Sequence, residues 1–492
     1  MRRQAAMAER RAESGPARLV QNWAGRLRFL RLTPFDESSA EGRAQERHRR
    51  AALSALAAAL SKALSVLATL VSIPLALAYL GDERFGIWAT LSALVLALQF
   101  ADLGLGNGVV NAVSTAFGAR DTAAVKRYVS SAAFTLLAVC AALALLTLVL
   151  LTVVPQTAWV QLFKLKGVQA QAEVLPALAV FAACVALAVP LGLVQRVQIA
   201  LQRGFIASVW QCGANLISLL AIWQATVWQL GLPWLVLALL GAPLLTALGN
   251  ALVFFWRTEP GLQPAWQHVD RAATALLLRI GASYFFIQVA VAVVFASDSL
   301  FIAHLLGASE VARYAVPEKL FGIISLAVAT AVGPLWPAYG EAIARGDLDW
   351  VRQTLKRSLL MAALFSAGAA GLLLLLGPWL IGLWVGTALQ VPVSLLLALG
   401  VWKTFEGVGF ALAMFLNGGG LLRYQLITAW LMAAGVLALK PWFVLQLGVT
   451  GAPLATALVY GLVTLLPLWW MLPRMMRQVR LRSAAGVQGV PA

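Results

Sequence analysis

Seven charged side chains fall inside long apolar runs: Lys62, Asp102, Asp298, Glu318, Lys319, Lys403 and Glu406. A charge at the centre of a bilayer-spanning helix costs about 2.5–3.5 kcal/mol on insertion scales, so such residues face a partner or a water-filled cavity. Lys62 lies twelve residues beyond Arg50. On a helix rising 1.5 Å per residue that is about 18 Å, too deep for its ammonium to snorkel to the surface. Lys62 is expected either to bind an anion in a central cavity or to pair with Asp102. Asp102 opens the run Asp102-Leu103-Gly104-Leu105-Gly106-Asn107-Gly108, whose glycines allow close helix approach or a local break. This acid is expected to carry a proton, to pair with Lys62, or to serve structure alone. Asp298 is a second buried acid with no evident partner, so Asp102 and Asp298 are the candidates for coupling to an ion. Lys403 and Glu406, at i and i+3, can neutralise each other and are expected to form a structural pair. Glu318 and Lys319 follow Pro317 near a helix end, where a solvated structural role is expected.

Soluble-enzyme chemistry is absent from the sequence. There is no phosphate-binding Gly-x-x-x-x-Gly-Lys-Ser/Thr, no His-Glu-x-x-His and no Cys-x-x-Cys. The three histidines are His48, His268 and His304, and the three cysteines, Cys140, Cys184 and Cys212, all lie in apolar runs. They give neither a disulfide framework nor a metal spacing, and no cofactor or metal is expected.

These residues are carried by helices in lipid. Of 492 residues, 61% are apolar and 12% charged, against about 25% charged in a soluble domain. The apolar runs have helix length rather than the alternating ten-residue pattern of a barrel. They predict an all-α polytopic protein with spans near 51–80, 85–117, 127–154, 174–200, 204–229, 233–256, 274–306, 311–341, 353–377, 390–416, 421–446 and 450–473. The net charge of +17 could signal a nucleic-acid partner, but its distribution reads as a topology signal instead. Of 37 lysines and arginines, three lie inside spans, and Arg84, Lys164, Lys166, Arg313 and Lys440 fall to one side; the other 29 fall to the opposite side with both termini. The positive-inside rule then makes both termini cytoplasmic. The first 50 residues contain no apolar core of signal-peptide length, so the first span should act as an uncleaved anchor. Trp23, Leu27, Phe29 and Leu30, set among arginines, read equally as a surface-lying segment or an unstructured arm.

The two halves repeat. Leu80-Gly81 and Leu306-Gly307 end corresponding spans, and the same 226-residue offset relates Trp88 to Tyr314, Asp121 to Asp347, Val125 to Val351 and Lys126 to Arg352. Six spans per half give both copies one orientation, a parallel repeat about an axis along the membrane normal with its site between the halves. The expected organisation is a basic tail (1–50), an N-lobe (51–256), a cytoplasmic connector (257–273), a C-lobe (274–475) and a cytoplasmic C-terminal tail (476–492).

The run Tyr79-Leu80-Gly81-Asp82-Glu83-Arg84-Phe85-Gly86-Ile87-Trp88 resembles the opening of bacterial polysaccharide exporters. So does Asp102 to Gly108 followed by Asn111. Ala200-Leu201-Gln202-Arg203-Gly204-Phe205 and Leu416-Asn417-Gly418 with Arg423 and Gln425 are similar to that family, the O-antigen-type flippases of the multidrug/oligosaccharidyl-lipid/polysaccharide superfamily. The resemblance implies two six-helix lobes in a V around a cavity. It also implies an undecaprenyl-diphosphate-linked glycan turned from inner to outer leaflet of a bacterial cytoplasmic membrane by alternating access. Its partners would be that glycan, membrane lipids and other membrane proteins of polysaccharide assembly. Lys62, Asp102, Asn107, Asn111, Arg196 and Arg203 are then the candidate substrate-binding residues. An ion-coupled multidrug or cation antiporter of the same superfamily is an alternative. A membrane-embedded glycosyltransferase or polymerase is another, although no outer loop on this map reaches 25 residues.

Overall fold

A computed structural model describes residue 33 and residues 40–94, 102–162, 165–306, 308–385 and 391–486; the basic segment around Trp23 lies outside them. The helices are α1 (Ala40–Leu94), α2 (Leu105–Gly118), α3 (Thr122–Val153), α4 (Gln156–Leu162), α5 (Val168–Ala200), α6 (Gly204–Val227) and α7 (Leu232–Val253). After a connector come α8 (Arg271–Leu306), α9 (Ala308–Val332), α10 (Leu335–Ala344), α11 (Leu348–Val385), α12 (Val393–Gly418), α13 (Leu422–Leu447), α14 (Gly451–Tyr460) and α15 (Leu466–Gly486). No strand occurs among the described residues.

Ten stretches of the described residues are long and apolar enough to cross a membrane. One of them, 422–468, holds two helices separated at Gly448. The second expected span is described on either side of 95–101, by the end of α1 and by α2, and is not among the ten. That accounts for the twelve spans read from hydropathy. The solvent is legible in α3, where the most apolar window has mean hydropathy 2.8 and only 6% of it is buried by protein. Leu145, Leu146 and Leu148 there have nothing but lipid to face. α12 is the opposite case, 61% buried, and forms the axis of the C-lobe.

The breaks between spans follow backbone chemistry. α1 is two helices joined at Gly81, whose φ of 69° and ψ of 173° no L side chain adopts comfortably. α2 and α10 end in matching turns. Arg120 (φ 58°) and Gly346 (φ 79°) take the left-handed position, and the amides of Asp121 and Asp347 return to the carbonyls of Ala116 and Ala342. These pairs keep the 226-residue register. The turns after α5 and α12 match in the same way at Gln202 (φ 58°) and Gly420 (φ 66°). The two lobes are therefore built by one plan, with small insertions shifting the register in the later spans.

Candidate functional site

The seam between the lobes is organised by α2. Asp102 caps it: Oδ1 accepts from the Gly104 amide at 2.9 Å and Oδ2 from the Gly106 amide at 3.1 Å. Leu103 and Gly104 both have positive φ, 51° and 75°, so the chain turns sharply into the helix. A Cβ on Gly104 would collide with the Gly281 carbonyl of α8, and one on Gly108 would sit 3.1 Å from the Leu277 carbonyl. Gly104, Gly108 and Gly281 thus make a crossing of small residues that brings the lobes into backbone contact. Along α10 the contact is between equivalent residues. A Cβ on Gly118 would lie 2.7 Å from that of Ala344, and one on Gly340 would lie 2.7 Å from the Ser114 hydroxyl. Residues 114 and 340, and 118 and 344, are each separated by 226, so the repeat axis passes between α2 and α10.

Beside this seam lies a cavity of about 350 Å³, walled by both lobes. α1 contributes Arg50, Ala51, Ser54 and Ala58, the junction of α5 and α6 contributes Gln195, Arg196, Gln202 and Ser208, and α9 and α10 contribute Thr330 and Trp336. Its charged residues are Arg196 and Arg50, the latter paired with Glu46 at 2.8 Å, and no carboxylate lines it. Arg196 is oriented by Asn107, whose Oδ1 accepts from Nη1 at 3.1 Å. Gly106 makes room for that guanidinium, since a Cβ there would lie 2.8 Å from Nε. In the walls, Trp336 Nε1 and Gln202 Oε1 are buried without a hydrogen-bond partner. Lys62 lies one turn beyond Ala58 on the same stripe of α1, exposed and without an ion pair among the described residues. The ion pair considered between Lys62 and Asp102 is not formed; Asp102 caps α2 instead.

At the end of the bundle that carries both chain ends, the lobes are tied by polar side chains. Asn111 donates to the Asn417 carbonyl at the end of α12 and approaches the Tyr284 hydroxyl at 3.4 Å. Gln202 donates to Glu341 Oε2. Arg47 Nη1 reaches Asp347 at 2.9 Å and Glu341 at 3.9 Å, and Arg345 meets Glu341 at 2.9 Å. The Arg47 guanidinium also lies 4.7 Å from the Trp350 ring centre. Arg47 and Glu341 are each 2% exposed. Glu341 is the centre of this network, and the sequence map missed it by setting it at the very end of a span. Arg203 stands apart from the cavity lining, bound to Glu259 of the connector at 2.8 Å with both side chains partly exposed.

The C-lobe contains the remaining charges. Lys403 pairs with Glu406 at 2.9 Å, as expected, and also with Glu318 at 3.6 Å. Glu406 accepts from the Ser325 hydroxyl at 2.5 Å. Asp298, expected to be unpaired, is bound by Lys440, and Oδ2 accepts from the Tyr314 hydroxyl at 2.6 Å. Lys440 itself was assigned by charge counting to the far side of the membrane. It is instead fully buried in α13, donating also to Ser297 at 2.8 Å and to the Val294 carbonyl at 3.2 Å. The correction has one cause: Asp298 and Lys440 are 142 residues apart, and only packing of α13 on α8 brings them together. Among the described residues there is no group of three metal-ligating side chains.

Three comparisons bear on this architecture. The sequence profile of the polysaccharide biosynthesis protein family matches residues 53–343, more than half of the chain. No curated protein matches the sequence. Among solved structures, an outward-facing multidrug resistance MATE family transporter of the MOP superfamily is 14% identical, with 87% of this chain and 96% of that one covered at a TM-score of 0.72. A MATE protein in its bent conformation is 15% identical, covering 89% and 97% at 0.77. A MOP superfamily transporter from Pyrococcus furiosus, described as having a binding pocket of reversed polarity, is 13% identical and covers 90% and 97% at 0.73. At these identities the likeness is one of fold. The solved structures share the two-lobed helical fold, and on the family match over more than half of its length the chain belongs to the polysaccharide biosynthesis protein family.

Proposed function

We propose that the protein turns an undecaprenyl-diphosphate-linked oligosaccharide from the inner to the outer leaflet of a bacterial cytoplasmic membrane, for assembly of a surface polysaccharide. The observation that carries this reading is Arg196 in the interlobe cavity: no acid lines that cavity, and its other charged residue, Arg50, is already paired with Glu46 at 2.8 Å. A drug or cation antiporter needs carboxylates facing its cargo. A diphosphate needs fixed cations, and arginine suits it best because its planar fork matches phosphate oxygens. The family match supports a glycan-related cargo.

In this reading Arg196, held by Asn107, and Lys62, one turn beyond the cavity wall on α1, meet the diphosphate in turn. Asp102 and Asn111 act by shaping α2 and the seam rather than by touching cargo, and Arg203 anchors the connector. The cavity of about 350 Å³ accommodates a diphosphate headgroup but not the oligosaccharide with it. The glycan must therefore occupy the wider opening that forms when the lobes part. The charge distribution supports placing both termini in the cytoplasm. The network around Glu341 then closes the cytoplasmic side. Alternating access requires that network to break while contacts form between the lobes at the opposite end.

Deleting the gene and restoring it on a plasmid tests the cargo. The expected result is accumulation of lipid-linked oligosaccharide on the cytoplasmic leaflet in the deletion strain, relieved by the wild-type chain. Altered sensitivity to cationic drugs with no such accumulation would establish the antiporter instead.

A further inference from the structure

A second cavity, about 1020 Å³, lies away from the seam between the start of α11 and the end of α15. Its lining combines two kinds of surface. Arg352, Lys356, Arg477 and Arg480 supply four cations against one acid, Asp349. Leu355, Leu359, Leu360, Leu472, Met476 and Leu481 supply an apolar floor and rim. None of the four cations forms an ion pair or hydrogen bond among the described residues, and all four are exposed.

The helix periods explain the arrangement. Arg352 and Lys356 are i and i+4 on α11, and Arg477 and Arg480 are i and i+3 on α15, so each pair forms a stripe facing the other. The opposite faces of the same helices are in the C-lobe core, through Trp350, Val351, Met475 and Val479. The end of α15 is therefore amphipathic, in the manner of helices that lie at a membrane surface. Both stripes sit where their helices leave the apolar run, at the depth of lipid headgroups. Leu360, one turn further in, is 56% exposed and faces acyl chains.

We infer that this cavity is a binding site for an anionic bilayer phospholipid carrying two phosphates. Four unpaired cations match the charge of two phosphates, and the leucine walls match the chains that leave them. Basic pockets between spanning helices on the cytoplasmic face recognise such headgroups. A scattered topology signal would not need its cations converging on one cavity with apolar walls. The site is distinct from the interlobe cavity, so it neither depends on the proposed cargo nor tests it.

The experiment is native mass spectrometry of the full-length protein taken from bilayers containing cardiolipin and phosphatidylcholine, with titration of cardiolipin into delipidated protein. Wild type is expected to retain one cardiolipin in preference to phosphatidylcholine. The triple variant Arg352→Gln, Arg477→Gln, Arg480→Gln is expected to bind it roughly a hundredfold more weakly, each interfacial cation contributing about a factor of five. Neutralising three exposed cations outside the cavity, Arg127→Gln, Arg257→Gln and Arg271→Gln, is expected to leave that affinity within about threefold. Inorganic pyrophosphate in millimolar excess should not displace the lipid. Equal losses in both triple variants, no preference over phosphatidylcholine, or displacement by pyrophosphate would each overturn the inference. The double variant Lys356→Gln, Arg480→Gln, with an expected loss of about twentyfold, provides the same test if the triple variant does not fold.

Discussion

The two lobes share a plan and differ in how the cations of their spanning helices are paired. In the C-lobe each buried cation has an acid: Lys440 with Asp298, and Lys403 with Glu406 and Glu318. In the N-lobe, Arg196 is hydrogen-bonded to an amide oxygen of Asn107, with no carboxylate in ion-pair contact although Asp102 Oδ2 lies across Gly106 from it, and the exposed Lys62 has no charged partner among the described residues. A cation whose charge is already neutralised cannot bind an anionic cargo without releasing its acid. A cation oriented by a neutral amide keeps its full charge for a ligand. In the proposed function this difference makes the C-lobe interior the rigid part and the N-lobe face of the seam the part that meets the anion.

That contrast can be broken. The largest effect is expected from Lys440→Met, which leaves Asp298 buried and unpaired and should cost about 3–5 kcal/mol. Adding Asp298→Asn should return most of it, read by thermal or chemical denaturation in detergent. If Lys440→Met is as stable as wild type, the C-lobe pair is not structural. Next in size is Gly104→Ala. It puts a Cβ against the Gly281 carbonyl at positive φ and should destabilise by about 1–3 kcal/mol while lowering transport. Gly192→Ala, with nothing within 4 Å of its Cβ position, should stay within about 0.5 kcal/mol. Asp102→Ala removes a cap and should cost about 1 kcal/mol. Transport by Asp102→Asn should respond to collapse of proton and sodium gradients as wild type does; a lost response would return Asp102 to ion coupling. The smallest effect is expected for Arg203→Gln, whose exposed pair with Glu259 contributes under about 1 kcal/mol. Its transport should be unchanged in the same assay.

Much of this architecture is visible in the sequence, because hydropathy and the lysine and arginine distribution are properties of single residues summed over a window. Asp121 and Asp347 carry the repeat openly, since a left-handed turn and its following helix constrain both copies alike. What Asp102 does was not legible. Its role depends on the positive φ of Leu103 and Gly104, which aim two amides at one carboxylate. The glycines beside it were read as permitting close approach, and they do, but their partner Gly281 lies in the other lobe. The pairing of Lys440 with Asp298 and the joining of Arg47, Gln202 and Glu341 are likewise long-range events. Neither residue type nor local spacing encodes them. Arg196 is a substrate-binding candidate in the sequence only through the family resemblance. Its place in a cavity follows from Gly106 and Asn107, a different helix.

The central claim is that the N-lobe cations of the seam carry the anionic headgroup of a lipid-linked oligosaccharide. The most direct measurement is translocation of labelled undecaprenyl-diphosphate oligosaccharide by purified protein in proteoliposomes, comparing wild type with Arg196→Gln. The wild-type chain should move the lipid. Arg196→Gln, with unchanged thermal stability, should move it at least about tenfold more slowly, the loss of one charge-assisted contact. Equal rates for the two proteins, or no translocation above protein-free vesicles, would contradict the account.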